Sequence, residues 1–418
     1  MPSGTSSEPK RRTHKILHLG LISAGALAVS ALSLKALPMP FVWIALTWAG
    51  ALIGGLFCLH GTRPRWSLSC LDGTWLRAIL FNVSVAAATF AAVEAYLSLH
   101  GRARDADTEH VGGVFYVKDD VLGTVPHKGI RVHATSRSYD VTYTIDSNGL
   151  RIAPPVQKDK HAGCILFFGC SFTFGEGLQD NETLPYQVGI QSGGQYRTFN
   201  FAFPGYGSHQ MLAEIEQGQV GRVVDCSPKY AIYGAITDHV RRAAGKIPYS
   251  KHAPRYILEP DGNVRRVGNF ELKQRALSPF EAKLGWEFGK SAIYRLLANR
   301  EPRVSEDDVH LTLAIVRRSR DLLAAEYPGL QFHVILWRPG EGEEDIAVYR
   351  ELQDGFRQMN LPVHLVEDIL PGYRLAYRSK YAISSTDGHP NALADCLLAN
   401  YVLTKIVSAE PGASTCPR

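Results

Sequence analysis

The chain has 418 residues, of which 45% are hydrophobic and 20% charged, with a formal net charge of +5. That length exceeds one small domain, so two or more units are expected. The basic residues are scattered apart from a short N-terminal cluster, with no basic stripe interleaved with aromatics, which argues against a nucleic-acid binder.

The first hundred residues hold the most apolar sequence. Ile16–Leu34 and Phe41–Leu59 carry no formal charge, and each approaches the ~20 residues that cross a bilayer. A third segment, Trp75–Leu99, contains Arg77 and Glu94 near its ends, where long side chains reach the interface. Spanning is expected for it, with a surface amphipathic helix as the alternative. Lys10, Arg11, Arg12 and Lys15 precede the first span, and Arg63, Arg65 and Arg77 fall between the second and third. The positive-inside rule then puts the N-terminus inside and everything after about residue 100 outside or in the periplasm. Two spans would reverse that placement. A cleaved signal peptide is the weaker alternative, because no convincing cleavage site precedes the second span.

Residues 101–110 read as a polar linker and 111–155 as a small β unit. "VFYV", "IRVHA" and "YDVTYTI" are β-branched and aromatic, and Asp146–Arg151 supplies an Asn-Gly turn. No chemistry is read into this unit. From about residue 160, "CILFF", "YRTFNFAF", "YAIYGAI" and "FHVILW" are continuous apolar runs, as expected of parallel strands buried on both faces. Helical stretches lie between them at Leu184–Gln191, Ser208–Glu216 and Asp307–Glu326, and a closing helix covers Asn391–Val407. Residues 240–305, rich in Arg, Lys, Pro and Gly, break the rhythm. Such a long insertion is read as a lid or substrate collar, against a plain surface excursion. The expected architecture is an α/β sandwich at 159–410, a linker and β unit at 101–158, and a membrane region at 1–100.

In open parallel sheets ligands bind beyond the C-terminal strand ends. Ser171 lies just past the first run, Gly205 past the second, and Thr237, Asp238 and His239 past the third. Asp387 and His389, in "SSTDGHPNA", precede the last helix. A serine nucleophile needs a base and a group to orient that base, and Asp387-Gly388-His389 offers both. The blander reading makes Asp387 a helix cap with Pro390 near the first helical position. Thr173 stands where a G-x-S-x-G elbow wants glycine, which disfavours the α/β-hydrolase fold. Five cysteines, Cys164, Cys170, Cys226, Cys396 and Cys416, would lie outside the membrane. They could form one disulfide, with no assignment from spacing. There is no CxxC and no zinc-spaced His/Cys cluster, so neither metal nor cofactor is expected.

Three blocks carry a resemblance. "FFGCSFTFGEGLQDNETLPYQV" resembles the first block of the SGNH (GDSL-type) hydrolases, "NFAFPGYGSHQM" the second, and "TDGHPNALADCLLA" the last, over about residues 160–408. The resemblance implies a three-layer α/β/α sandwich with a mainly parallel, flavodoxin-like sheet. It implies Ser171 as nucleophile, His389 as base and Asp387 as its partner. The backbone N–H groups of Ser171 and Gly205 would form the oxyanion hole. Cys170 stands where the family has aspartate. The family's Gly-x-Asn-Asp block reads "YGAITDHVRRA" here, so Thr237 takes the place of the donor Asn, and Asp238 and His239 become possible substrate-binding groups. The expected activity is ester hydrolysis or O-acyl transfer outside the cytoplasm, on O-acylated surface carbohydrate or on lipid esters. The competing expectation is a domain that binds glycan or protein without turnover. A transporter is disfavoured because the apolar segments have almost no polar residues at their centres.

Overall fold

The computed structural model describes residues 73–101, 109–155, 163–247, 249, 251–271, 288, 291–294, 303–340, 342–373, 380–409 and 416–417. The two apolar segments at 16–34 and 41–59 lie outside the described residues. The chain divides into two compact units, one of residues 1–105 with 276–300, the other of 106–275 with 301–418. The insertion read at 240–305 is thus shared between them.

In the first unit a helix runs over Gly73–Gly101. No helix among the described residues is long and apolar enough to cross a membrane, so the span expected at Trp75–Leu99 is not supported. Glu94, in that helix, is fully buried. Its carboxylate accepts from the Ser291 hydroxyl at 3.0 Å and from the Ile293 N–H at 2.9 Å. A carboxylate so placed satisfies the orphan donors at the start of the next helical turn.

The second unit is built on five parallel strands. They are β6 (Gly163–Phe168), β7 (Tyr196–Asn200), β8 (Pro228–Ala235), β11 (Gln331–Leu336) and β12 (Val363–Leu365), in the order β12-β11-β8-β6-β7. Numbered within the sheet this is 2-1-3-4-5, the flavodoxin-like order. Four strands match the apolar runs. The fifth has only three half-buried residues, too few to leave a periodic signal.

Alternation along each strand sends side chains to opposite faces, and both faces are covered. Leu166, Phe168, Tyr233, Val334 and Leu336 share one core with Met211, Ile215, Val316, Leu323 and Phe356. Ile165, Phe167, Ile232 and Ile335 share the other with Leu184, Val188, Leu398 and Val402. The helices responsible are Ser208–Glu216, Glu306–Glu326 and Glu343–Gln358 on the first side, and Leu184–Gln191 and Ala392–Tyr401 on the second. Each fully buried Leu, Ile or Phe contributes about 1.5–3 kcal/mol. Helix Glu343–Gln358 is an addition to the expected set. Its stripe Val348, Tyr349, Leu352 and Phe356 is buried, and that spacing was legible.

The small β unit holds β1 (His110–Val111), β2 (Tyr116–Asp119), β3 (Gly123–Pro126), β4 (Arg131–Thr135) and β5 (Asp140–Thr144). These pair antiparallel as β1-β4-β5 and β2-β3. The Asn-Gly turn follows β5 and is closed by an Ile145–Arg151 bridge. The unit's Phe115, Val132, Tyr143 and Ile145 share a core with Phe174, Phe203, Leu212 and Ile315 of the sandwich. Beyond the sheet, β9 (Pro254–Leu258) and β10 (Val264–Asn269) form a hairpin.

Two disulfides form, Cys164–Cys226 and Cys396–Cys416, and Cys170 is free and buried. Among the described residues no group of three or more His, Cys, Asp or Glu could hold a metal ion.

Candidate active site

Strand β6 stops at Gly169, and a four-residue helix, Ser171–Phe174, begins two residues later. Glycine is required at 169 for space: a Cβ there would lie 2.9 Å from the Thr173 Cβ and 3.1 Å from the Gly234 carbonyl oxygen. The strand therefore runs straight into the helix, and Ser171 sits at the helix's first position, 7% exposed.

The last helix is approached through a closed loop. Ile383 donates to the His389 carbonyl and Asn391 to the Tyr381 carbonyl, both at 2.9 Å. The helix cap is Asn391, whose side chain accepts from the Ala394 N–H at 3.1 Å. This corrects the blander reading, since Asp387 caps nothing there and holds His389 instead. Asp387 Oδ1 lies 2.6 Å from His389 Nδ1 and accepts from the His389 N–H at 3.0 Å. On the other side of the ring, His389 Nε2 lies 2.9 Å from Ser171 Oγ. Residues 218 apart in sequence thus form one continuous hydrogen-bonded line of serine, imidazole and carboxylate.

Glu176, which sequence reasoning missed, faces the same ring: its Oε2 is 3.9 Å from His389 Nε2. Its N–H donates to the Ser171 carbonyl at 3.0 Å. Burial works against a charged imidazole, but the carboxylates of Glu176 and Asp387 outweigh it and hold His389 above its ordinary value of 6.5. Burial pushes the Glu176 carboxyl upward; His389 pulls it down, while Glu109 and Asp387 push it further up.

Arg151 was also missed. It is 2% exposed, and it holds the loop after Ser171 by donating to the Phe174 carbonyl at 2.9 Å, the Leu178 carbonyl at 2.6 Å and the Gly175 carbonyl. Its Nε pairs with Asp180 at 3.2 Å, and its guanidinium covers the rings of Tyr143 and Phe174 at 4.5 and 4.6 Å. Nothing near Arg151 in sequence signals these hydrogen bonds, because every acceptor is more than twenty residues away.

Gly205 lies past β7 with φ +80, the left-handed region that favours glycine. Thr237, past β8, is 6% exposed and stands at the N-cap of the helix Asp238–Ala243. Asp238 pairs with Arg242 at 2.7 Å, and Arg242 also donates to the Tyr206 carbonyl at 2.6 Å. One guanidinium thereby ties the residue after Gly205 to the residue after Thr237. His239 turns into the core: it is 1% exposed, and its Nδ1 is 2.6 Å from the Tyr233 hydroxyl. Burial drives its imidazole well below the ordinary range. Cys170 is buried against Arg242, and burial raises its thiol. On the remaining side of Ser171, Phe172 packs on Trp337 and on the His389 ring, with centroids 5.1 and 5.2 Å apart.

No family model matches the chain, and no curated protein matches it. Solved structures do, with low superposition scores. One is a protein assigned to the G-D-S-L lipolytic family from Desulfitobacterium hafniense, 10% identical, covering 57% of this chain and 97% of its own, with a TM-score of 0.33. Another is an acetyl xylan esterase from the rumen bacterium Butyrivibrio proteoclasticus, 11% identical over 66% of this chain and 68% of its own, TM-score 0.33. A third is an aryl esterase from M. smegmatis, 10% identical over 59% of this chain and 100% of its own, TM-score 0.33.

Proposed function

We propose that the chain is a serine ester hydrolase or O-acyltransferase of the SGNH type, with Ser171 as nucleophile. The observation that carries this reading is the line Ser171 Oγ–His389 Nε2–Asp387, at 2.9 and 2.6 Å. Both distances fall within hydrogen-bond reach, as nucleophilic catalysis requires. Ser171 Oγ attacks the ester carbonyl and passes its proton to His389 Nε2. Asp387 accepts from Nδ1–H, fixing the tautomer and stabilising the imidazolium. The first N–H groups of a helix lack intrahelical partners, so the Ser171 N–H is suited to the developing oxyanion. The Gly205 N–H and the Thr237 hydroxyl are its companions. The intermediate collapses, His389 returns the proton to the departing alcohol, and an acyl-Ser171 ester remains. Water, or a hydroxyl of an acceptor, then takes the acyl group by the reverse proton route.

The substrate class we assign is O-acylated carbohydrate, ahead of lipid esters, and the location is outside the cytoplasm on a membrane anchor. The uncharged segments at 16–34 and 41–59 support an anchor. Two disulfides support an oxidising compartment. Membrane-impermeant thiol labelling of single cysteines placed on the surface of the second unit, in intact cells, tests the sidedness. Labelling only after lysis would place the unit inside.

The activity test is hydrolysis of p-nitrophenyl acetate, with a longer-chain ester in parallel, by the full-length protein and by Ser171→Ala. Loss of a nucleophile from such a triad typically lowers kcat on the order of 10⁴-fold or more. The expected result is acetate turnover by the parent and its loss in the variant. Equal, negligible rates in two folded proteins would leave binding without turnover as the reading. A preference for long chains would point to lipid esters.

A further inference from the structure

The small β unit delivers a cluster to the mouth of the candidate active site. Glu109 accepts from the Tyr143 hydroxyl at 2.6 Å, and burial, followed by the charges of Glu109 and Glu176, raises the Tyr116 and Tyr139 phenols. Tyr143 in turn accepts from the Gly177 N–H at 2.8 Å, directly after Glu176. Burial raises the Glu176 carboxyl, and the Glu109 carboxylate adds to that rise. Tyr116 also lies 5.5 Å, ring to ring, from Phe203, two residues before Gly205. The cluster therefore reaches the Ser171 region from the Glu176 side and from the Gly205 side.

A cavity of about 400 Å³ opens here, lined by Glu109, Val114, Phe115 and Tyr116 among others. Tyr116 is 46% exposed and Val114 68% exposed. An exposed ring beside fixed carboxylates and phenols offers an apolar platform edged by hydrogen-bonding groups. A sugar ring presents that combination in reverse, with a C–H face and a rim of hydroxyls. Carboxylates accept from such hydroxyls through several lone-pair positions. The charge is selective as well. Glu109 lines the cavity, and Glu176 and Asp387 flank the His389 ring beyond it; an anionic ligand brought to these carboxylates loses binding energy.

We propose that this cavity is the carbohydrate subsite of the candidate esterase, with Tyr116 as the stacking platform and Glu109 as the hydroxyl acceptor. It takes neutral or amine-bearing sugars and rejects uronate-rich, anionic ones. This assignment rests on the ester-hydrolase reading only for what happens at Ser171; the binding itself is measurable without turnover.

The experiment is calorimetric titration of the full-length Ser171→Ala protein with three probes: cellopentaose, a glucosamine pentamer and an oligogalacturonide. The neutral and cationic probes are expected to bind and the anionic one not. Tyr116→Ala in the same background should weaken binding about tenfold, as loss of an aromatic anchor does. Glu109→Gln with Glu176→Gln should admit the oligogalacturonide. No binding of any probe, equal binding of the anionic one, or unchanged binding in Tyr116→Ala would each overturn the subsite. Sugar binding in a parent protein inactive on every ester would leave the subsite standing and remove the esterase.

Discussion

In the proposed reaction His389 is the residue on which the chemistry turns, and its surroundings set a pH dependence. A general base must be neutral to accept the Ser171 proton, so activity rises as pH climbs through the His389 titration. Because Glu176 and Asp387 hold that titration above 6.5, the acid limb of kcat/KM is expected above the ordinary histidine value. Glu176 and His389 titrate as an interacting pair. Glu176→Gln removes a charge that favours the imidazolium, so the limb should move to lower pH. A pH–rate profile of the two proteins checks this, and a limb that stays put or moves upward would sink the idea. Asp387→Asn should also move it down, with a loss of kcat on the order of 10⁴-fold.

At the scale of elements, much of the candidate site was legible in the sequence. The run "CILFF" ends where β6 ends, and Asp387-Gly388-His389 precedes the helix as read. Such signals are local, because strand burial and the i, i+2 relation are written in neighbouring residues. Glu176 and Glu109 were illegible for the opposite reason: their meaning depends on residues tens to hundreds of positions away. The strand Val363–Leu365 was missed because three residues carry no period. Arg151 belongs to the same class, a lone basic residue in a turn whose partners are carbonyls of another element. Removing a buried, paired guanidinium typically costs about 3–5 kcal/mol. Arg151→Ala should therefore lower stability by that amount in chemical denaturation. A shift below ~1 kcal/mol would show that the loop 174–180 is held by something else.

Across the whole molecule, the disulfides add constraint to a sheet already buried on both faces. Cys164–Cys226 closes a separation of 62 residues and Cys396–Cys416 one of 20. The loop-entropy relation assigns about 4 kcal/mol to the first and about 3 kcal/mol to the second. The double variant Cys164→Ala/Cys226→Ala should consequently lose more thermal stability than Cys396→Ala/Cys416→Ala, and differential scanning calorimetry decides the order. An equal loss would show that packing around β6, rather than chain closure, sets the difference.

Arg151 has a further consequence for how this protein can be cut and recombined. The sheet begins at Gly163, and a boundary drawn just before it looks natural from the strand pattern. A fragment starting there would keep Ser171, Asp387 and His389 but leave behind the guanidinium that fastens the turn carrying Glu176. It would also lose Tyr143, which fastens Gly177. The β unit is thus no detachable spacer, and grafting the sandwich without it onto another chain would transfer the three proposed catalytic residues without the frame that holds the turn beside them.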